Sequence, residues 1–459
     1  MANKSRAAAR SARYRCTECG WSTVKWAGRC SQCQAWGSVE EVGMSAAVVT
    51  AATTVTSPAL PIVEVDARHA APRPTGVGEF DRVLGGGLTP GAVVLVTGEP
   101  GIGKSTLLLD VAARHARTHE HHVLYVSGEE SAAQVRSRAE RIEAMARTLF
   151  LAAETDLGAV LAQIDAVEPD LLVIDSVQTI ASADVEGQAG NVSQVREVAH
   201  ALIRSAKTRG IAVLLVGHVT KDGSIAGPRT LEHLVDVVVA FEGDRHSRLR
   251  LVRAVKNRYG PTDEVGCFDL SDVGIVGLDD PSGLFLSQRA ETVSGTCVTV
   301  TLEGRRPLLT EVQALVAPSA LPSPRRATSG LDTARVNMTV AVLSRRGGVP
   351  LAAQDVYLST VGGVRINEPA ADLALALAMA SAHTDRRLPA RSVVFGEVGL
   401  AGDIRSVTGP HRRLAEAARL GFRRAIVPSG VLGAGPIPDG LTIREVTDLS
   451  EALSLLPTC

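Results

Sequence analysis

The stretch Gly98-Glu99-Pro100-Gly101-Ile102-Gly103-Lys104-Ser105 constrains this chain most, since two glycines separated by four residues and followed by Lys and Ser form a phosphate-binding loop pattern. Its flanks agree. Ala92-Val93-Val94-Leu95-Val96 ahead of it is a short apolar run of strand type, and Thr106-Leu107-Leu108-Leu109-Asp110-Val111-Ala112-Ala113 behind it reads as a helix. A glycine-rich turn that matched by accident would need neither flank.

Backbone N–H groups can surround a phosphate only where side chains are missing and the chain can curl, which accounts for Gly98, Gly101 and Gly103. Lys104 would then reach the β and γ phosphates. Ser105 would offer its hydroxyl to Mg²⁺, which neutralises charge as it develops during transfer. The expected nucleotide-binding set is Gly98, Glu99, Pro100, Gly101, Ile102, Gly103, Lys104, Ser105 and Thr106.

At 459 residues and 45% hydrophobic composition the chain reads as a soluble globular protein, long enough for about three domains at roughly 150 residues each. The net charge of -1 hides an asymmetry, because the first fifteen residues carry Lys4, Arg6, Arg10, Arg13 and Arg15 and no acid. Such an arm suits nucleic acid, or is a solubilising terminus. No apolar core of a secretory signal follows it, so a cytoplasmic, membrane-free protein is expected. The stretch from Ser45 to Val63 is rich in Ala, Thr and Val but broken by Pro58 and Pro61, and it reads as a linker rather than a spanning helix.

Cys16-Thr17-Glu18-Cys19 and Cys30-Ser31-Gln32-Cys33 are two Cys-x-x-Cys pairs ten residues apart, a spacing that closes a tetrahedral four-sulfur site around Zn²⁺. Two disulfides are the competing reading, disfavoured in a reducing compartment. Trp21, Trp26 and Trp36 all fall within or beside this knuckle. They either pack around the metal as a miniature core or stack on bases or on a partner.

Downstream, apolar runs alternate with helical ones: His122 to Ser127, a helix from Ser131 to about Arg147, Leu171 to Asp175, a helix from Val192 to Arg209, and Ile211 to Gly217. Alternation of this kind implies a parallel sheet covered by helices, with ligands at the carboxyl ends of the strands. Leu171-Leu172-Val173-Ile174 delivers Asp175 to such an end, where it can hold Mg²⁺ through water. Glu129 and Glu130 follow another strand. Glu129 is the preferred general base for an attacking water, with Glu130 suited to a helix N-terminus. The polar loop from Gly217 to Gly223 could sense the γ phosphate.

Thr75 to Leu88, leading into Pro90-Gly91 and the first strand, looks like the lead-in to a RecA-type ATPase. Together with the four-cysteine knuckle and Lys256-Asn257-Arg258-Tyr259-Gly260, it makes nearly the whole chain resemble the RadA (Sms) family of bacterial DNA repair proteins. The family's motif usually has Phe where this chain has Tyr259, one aromatic for another. The resemblance implies that Lys256, and less directly Arg258, reaches the nucleotide of a neighbouring subunit in a ring, and that His218 is a γ-phosphate sensor. Without it, the motif would read as a solvated basic turn after a strand from Arg248 to Val255.

Past a Pro/Ser-rich break from Ala317 to Ser329, the last 130 residues resemble the proteolytic domain of Lon protease, through Arg365 to Ala376 and Phe395 to Arg405. Lon attacks with a serine activated by a lysine. Ala370 stands in the place of the serine and His411 in that of the lysine, so a scaffold rather than a protease is expected. The pairs Arg305 and Arg306, Arg325 and Arg326, and Arg345 and Arg346 could contact phosphates or simply be solvated.

The expected architecture is α/β: a RecA-like P-loop ATPase core with an N-terminal four-cysteine zinc knuckle and a C-terminal α+β Lon-protease-like domain. Its expected parts are a basic arm over 1–15, the knuckle over 16–40, a linker over 41–70, the ATPase over 71–290, a connecting segment and linker over 291–330, and the scaffold over 331–459. The expected activity is DNA-dependent ATP hydrolysis by a hexameric motor on single-stranded DNA and branched recombination intermediates. Its cofactors would be ATP, Mg²⁺ and Zn²⁺, and its partner, by resemblance, the recombinase RecA. A nucleotide-switched binding module and a Lon-type protease are the rival classes.

Overall fold

The computed structural model describes residues 14–41, 59–66, 70–119, 121–218, 230–243, 248–271, 274–287, 293–433 and 435–457. The basic positions Lys4 to Arg13, most of the expected linker, and residues 219–223 lie outside them. The chain divides into two compact units, Met1–Asp66 and Ala67–Cys459. Among the described residues no helix is long and apolar enough to cross a membrane.

The first unit holds a three-stranded antiparallel sheet of β1 (Tyr14–Cys16), β2 (Ser22–Thr23) and β3 (Val39–Glu41), in the order β2-β1-β3. Its apolar core is Cys16, Cys30 and Val39, with Tyr14 and Trp21 against them. So small a core cannot fold a segment by itself.

The second unit opens with helix α1 (Gly78–Leu84) and strand β4 (Val93–Gly98), followed by α2 (Lys104–His119), β5 (Val123–Ser127), α3 (Ala132–Arg141) and β6 (Leu149–Ala153). Then come α4 (Leu157–Val167), β7 (Leu171–Asp175), α5 (Val192–Arg209), β8 (Ala212–His218), β9 (Val237–Glu242), β10 (Leu249–Asn257), β11 (Val265–Ser271) and β12 (Gly274–Gly277). These strands form one sheet in the order β12-β11-β10-β9-β4-β8-β7-β5-β6. From β9 to β6 every pairing is parallel, and β10 to β12 fold back antiparallel. Both faces are covered: Val94 and Val96 of β4 enter one core and Val93 and Leu95 the other.

Two readings of this region change. The helix after Ser131 stops at Arg141 rather than near Arg147, since Glu143 has a left-handed φ of 56° that breaks the helix. β6 and α4 are additional elements; β6 is an edge strand with a weak, half-exposed apolar pattern.

The C-terminal part contains β13 (Thr296–Glu303), β14 (Arg306–Pro318), β15 (Arg326–Ser329), α6 (Thr333–Arg345), β16 (Gln354–Thr360), α7 (Asp372–Thr384), β17 (Ser392–Val394), β18 (Glu397–Val398), β19 (Ile404–Arg405), α8 (Pro410–Arg419), β20 (Arg424–Pro428), β21 (Thr442–Val446) and α9 (Leu449–Ser454). Its sheet runs β15-β16-β14-β13-β17-β20-β21. Leu373 to Ala380 of α7 are all buried, so this helix is a hydrophobic pillar rather than an amphipathic one.

The expected connecting segment and linker over 291–330 is therefore a correction: it supplies β13, β14 and β15 to this sheet. Composition misled because Pro318 closes a strand and Arg326–Ser329 is an edge strand, the two places where a sheet accepts proline and polar residues.

Arg306, at the β13–β14 turn, is also corrected. Its side chain is buried at 7% exposure, ion-paired to the buried Glu79 of α1, and donates to the carbonyls of Leu278 and Asp279 at 2.8 and 2.9 Å. Glu79 also accepts from the Cys267 N–H at 2.8 Å. This pair joins the ATPase sheet to the C-terminal domain. Arg306→Ala leaves the buried Glu79 with only the exposed Arg82, 3.5 Å away, as a counter-charge, and is expected to lower unfolding stability by about 3 kcal/mol. Denaturant unfolding checks this; a loss below roughly 1 kcal/mol would place Glu79 in contact with water.

Candidate active site

The phosphate loop lies between β4 and α2, as the sequence reading expected. Gly98 has φ 152°, and a Cβ there would come within 2.7 Å of the Phe241 carbonyl oxygen of β9. Gly103 has φ 112°, and a Cβ there would meet Ile275 Cδ1 at 2.5 Å. Gly98 is required by close packing against the β9 backbone, whereas at Gly103 the Ile275 side chain could shift and the left-handed φ is what favours glycine.

Lys104 is 3% exposed, and its Nζ donates to the carbonyls of Gly98 at 2.8 Å and Glu99 at 2.9 Å. Burial lowers its pKa to about 8, against the raising influence of Asp175 and Glu129. Ser105 and Thr106 are half-buried in the first turn of α2; Glu99, Pro100 and Gly101 are exposed and Ile102 is buried.

Asp175 ends β7 and is buried, its Oδ2 accepting from the Tyr125 hydroxyl of β5 at 2.6 Å. Its other oxygen, Oδ1, is buried without a hydrogen-bond partner. An orphaned carboxylate oxygen beside a phosphate loop is the donor a divalent cation would use. Burial and the Asp175 charge push the Tyr125 phenol well above its ordinary pKa, so it remains a donor.

Glu129 lies beyond the end of β5. Its Oε1 accepts from the Ser176 hydroxyl at 2.6 Å and lies 3.1 Å from His218 Nε2, at the end of β8. The His218 contact, helped by Ser176, holds the carboxyl down at about 2 against the effect of burial. Glu130 is turned away and paired with Arg138 of α3. Lys104, Glu129, Asp175, Ser176 and His218 thus converge at the carboxyl ends of parallel strands, from segments separated by more than a hundred residues.

Three contributors were not anticipated. Tyr125 and Ser176 read as ordinary strand and loop residues, since nothing in the local pattern reveals a hydrogen bond across strands. Arg250 of β10 is buried at 5% and donates through Nε to the Ile102 carbonyl of the loop at 3.2 Å. An arginine inside an apolar strand was the available signal.

Lys256 to Gly260 is not a solvated turn. Lys256 and Asn257 are the last residues of β10, and Lys256 Nζ donates to the carbonyls of Glu232 at 2.8 Å and Val235 at 2.7 Å. Asn257 caps the carbonyls of Val83 and Leu84 at 3.3 Å, and Gly260 packs against Gly85. Arg258 donates to Asp236 at 3.1 Å, a carboxylate that also takes Lys207 at 2.6 Å and the Val93 N–H at 3.0 Å, where β4 begins. Tyr259 is exposed.

Lys256 pairs with Val238, which pairs with Leu95, three residues before Gly98. It therefore stands roughly 10 Å below the phosphate loop and two strands, about another 10 Å, across.

In the first unit the Cys16 and Cys33 sulfurs are 3.7 Å apart, those of Cys19 and Cys30 are 3.6 Å apart, and all four lie within 4.8 Å of one another. Ligands at about 2.3 Å from a tetrahedral Zn²⁺ are about 3.8 Å apart, so the four thiols fit that metal, whereas a disulfide needs about 2.05 Å. Cys30→Ser with Cys33→Ser is expected to abolish one bound zinc per chain and unfold this unit while the ATPase stays folded. Metal analysis checks it; native protein purified without zinc would overturn the assignment.

In the C-terminal domain Ala370 is buried in the turn before α7, its carbonyl accepting from the Gly396 N–H at 2.7 Å. His411 begins α8 with neither ring nitrogen hydrogen-bonded among the described residues. Close by in sequence, the buried Arg413 grips Glu368 with two bonds of 2.7 Å, and Glu368 also accepts from the Leu302 N–H at 2.8 Å. The geometry is that of a brace. Among the basic pairs, Arg305 is ion-paired to Asp263 at 3.3 Å, Arg326 is tied to backbone carbonyls, and Arg325, Arg345 and Arg346 are exposed.

Residues 60–224 match the family described as AAA domain, residues 14–41 the rubredoxin metal binding domain, and residues 356–430 subunit ChlI of Mg-chelatase. Over its length the chain is similar to curated proteins described as DNA repair protein RadA. With that of Mycolicibacterium smegmatis it is 53% identical over 453 residues, covering 96% of each chain. With that of Mycobacterium tuberculosis it is 53% identical over 448 residues, 96% of this chain and 92% of the relative. With that of Streptococcus pyogenes it is 46% identical over 451 residues, 97% and 99% of the two chains.

Proposed function

Because the chain belongs to the RadA family of DNA repair proteins, we propose that it is a DNA-dependent ATPase that acts as a ring-shaped, hexameric motor on single-stranded DNA, driving branch migration of recombination intermediates alongside a RecA-type recombinase. The observation that carries this reading is the convergence of Lys104, Glu129 and the orphaned Asp175 oxygen at the mouth of the parallel sheet. A Mg²⁺ held by Ser105 and Asp175 would supply charge neutralisation at the phosphates. Lys104 binds the β and γ phosphates, Glu129 takes the proton of the attacking water, Tyr125 and Ser176 fix the two carboxylates, and His218 links Glu129 to the end of β8.

Lys256 is too far from its own phosphate loop to act there, which supports a role toward a neighbouring subunit's nucleotide. Arg258, two residues on, is tied through Asp236 to the start of β4, the strand that leads into the phosphate loop. Lys256→Ala is expected to reduce DNA-coupled work at least about tenfold while leaving thermal stability nearly unchanged, since its two carbonyl partners can turn to water. Branch migration together with thermal unfolding checks it; unimpaired migration would leave the motif a structural cap.

The decisive experiment is ATP hydrolysis with Mg²⁺, with and without single-stranded DNA, at two salt concentrations. Strong, salt-sensitive stimulation supports the motor. Binding without stimulation or strand displacement would favour a nucleotide switch. Ala370 in the nucleophile's position, with the Arg413 brace beside it, speaks against peptide hydrolysis.

A further inference from the structure

The cysteine-bearing unit carries more exposed aromatic surface than its fold requires. Trp21 packs into the small core, but Trp26 is 66% exposed and Trp36 is 77% exposed. The fold brings these two together. Arg29 and Trp36 form a β-bridge, the Gly37 N–H donates to the Gly28 carbonyl at 2.8 Å, and the Trp26 ring edge lies 3.6 Å from where a Gly28 Cβ would stand. Both indoles therefore flank the Gly28–Gly37 crossing. The Arg29 guanidinium sits 5.6 Å from the centre of the Trp36 ring, and Lys25 beside Trp26 is exposed. Neither indole supports the metal or the core, and exposing two of them is unfavourable unless something covers them.

Charge decides what covers them. The segment from Cys19 to Val39, which carries both indoles, holds Lys25 and Arg29 and no Asp or Glu. A polyanion with flat apolar faces satisfies both features, since each base offers a π-face to an indole and each phosphate a partner to a cation. A purely apolar protein surface would match the tryptophans and leave the cations unanswered.

We infer that the zinc-binding unit is a second single-stranded DNA contact, in which Trp26 and Trp36 stack on bases and Arg29 and Lys25 meet the backbone. It rests on the single-stranded DNA reading above. Its site is separate from the catalytic one, so the two can fail independently. Because the contact uses stacking, it is sequence-tolerant; because it uses few cations, its salt dependence is shallower than that of a fully charged groove.

The chain supplies its own probe, since Trp21, Trp26 and Trp36 are its only tryptophans. Intrinsic tryptophan fluorescence of the zinc-loaded full-length protein is measured while oligo-dT is added, and binding is followed in parallel by anisotropy of labelled oligo-dT. Saturable quenching that tracks the anisotropy supports the inference. The double variant Trp26→Ala, Trp36→Ala should weaken oligo-dT binding at least about tenfold and leave the remaining Trp21 emission unresponsive. Trp26→Phe with Trp36→Phe, which keeps a π-face, should recover most of the affinity, and zinc content confirms that each variant is folded. Oligo-dT binding that saturates with no change in tryptophan emission overturns the inference, as does a double alanine variant that holds zinc and binds oligo-dT as tightly as the parent. In either case DNA stimulation of ATP hydrolysis, read in the same samples, shows whether the catalytic unit still responds to DNA.

Discussion

Lys104→Ala should reduce ATP turnover by about 10²–10³-fold or more while leaving the zinc site and the fold intact. The lysine's ammonium is buried and held by two backbone carbonyls of the same loop. Burial has already lowered its pKa to about 8, so the charge is available near neutral pH but is held without compensation by a full counter-ion. Triphosphate would supply that counter-ion and raise the pKa again. The sign follows: above about pH 8 binding must take up a proton, so affinity for nucleotide falls as pH rises through that value, and it is flat below it. Isothermal titration in two buffers of different ionisation enthalpy reads the proton uptake directly. Retained turnover in the alanine variant would move the active site elsewhere.

Glu129→Gln is the second large effect, an expected loss of about 10²–10⁴-fold in kcat with nucleotide affinity preserved. The amide keeps an acceptor for Ser176 but cannot take a proton from water. His218 and Ser176 hold the carboxyl at about 2, which keeps it ionised throughout the working range but makes it a weak base. Removing one of these donors has an opposite signature to removing the base. In His218→Ala the carboxyl should return toward the ordinary carboxylate range, so the acid limb of the pH–rate profile should move up while part of the activity remains. A pH–rate profile for that variant with an unmoved acid limb would separate Glu129 from the proton transfer.

Much of this site was legible because its signals are local. The glycine spacing and the carboxylate ending an apolar strand each depend on a few adjacent residues; of the two glutamates after β5, Glu130 is paired with Arg138 of the neighbouring helix while Glu129 meets Ser176 and His218. The basic motif was legible as a motif but not as a geometry. Read locally, Lys256 begins a turn after a strand; in the fold it is still in the strand, because Asn257 and Arg258 find backbone and carboxylate partners far away in sequence.

The sequence by itself determined those features whose chemistry needs only short spacing: the phosphate loop, the four-thiol metal site and the parallel α/β core. Only the tertiary structure decided that Arg306 is an internal strut rather than a phosphate contact, that residues 296–318 are sheet rather than connector, and that Ser176 and Tyr125 hold the two carboxylates. It also decided that two of the three tryptophans are surface and one is core. The physical reason is the same in each case. Burial and hydrogen-bond partners across strands are set by sheet register and packing between distant segments, so a residue's local pattern carries no record of them.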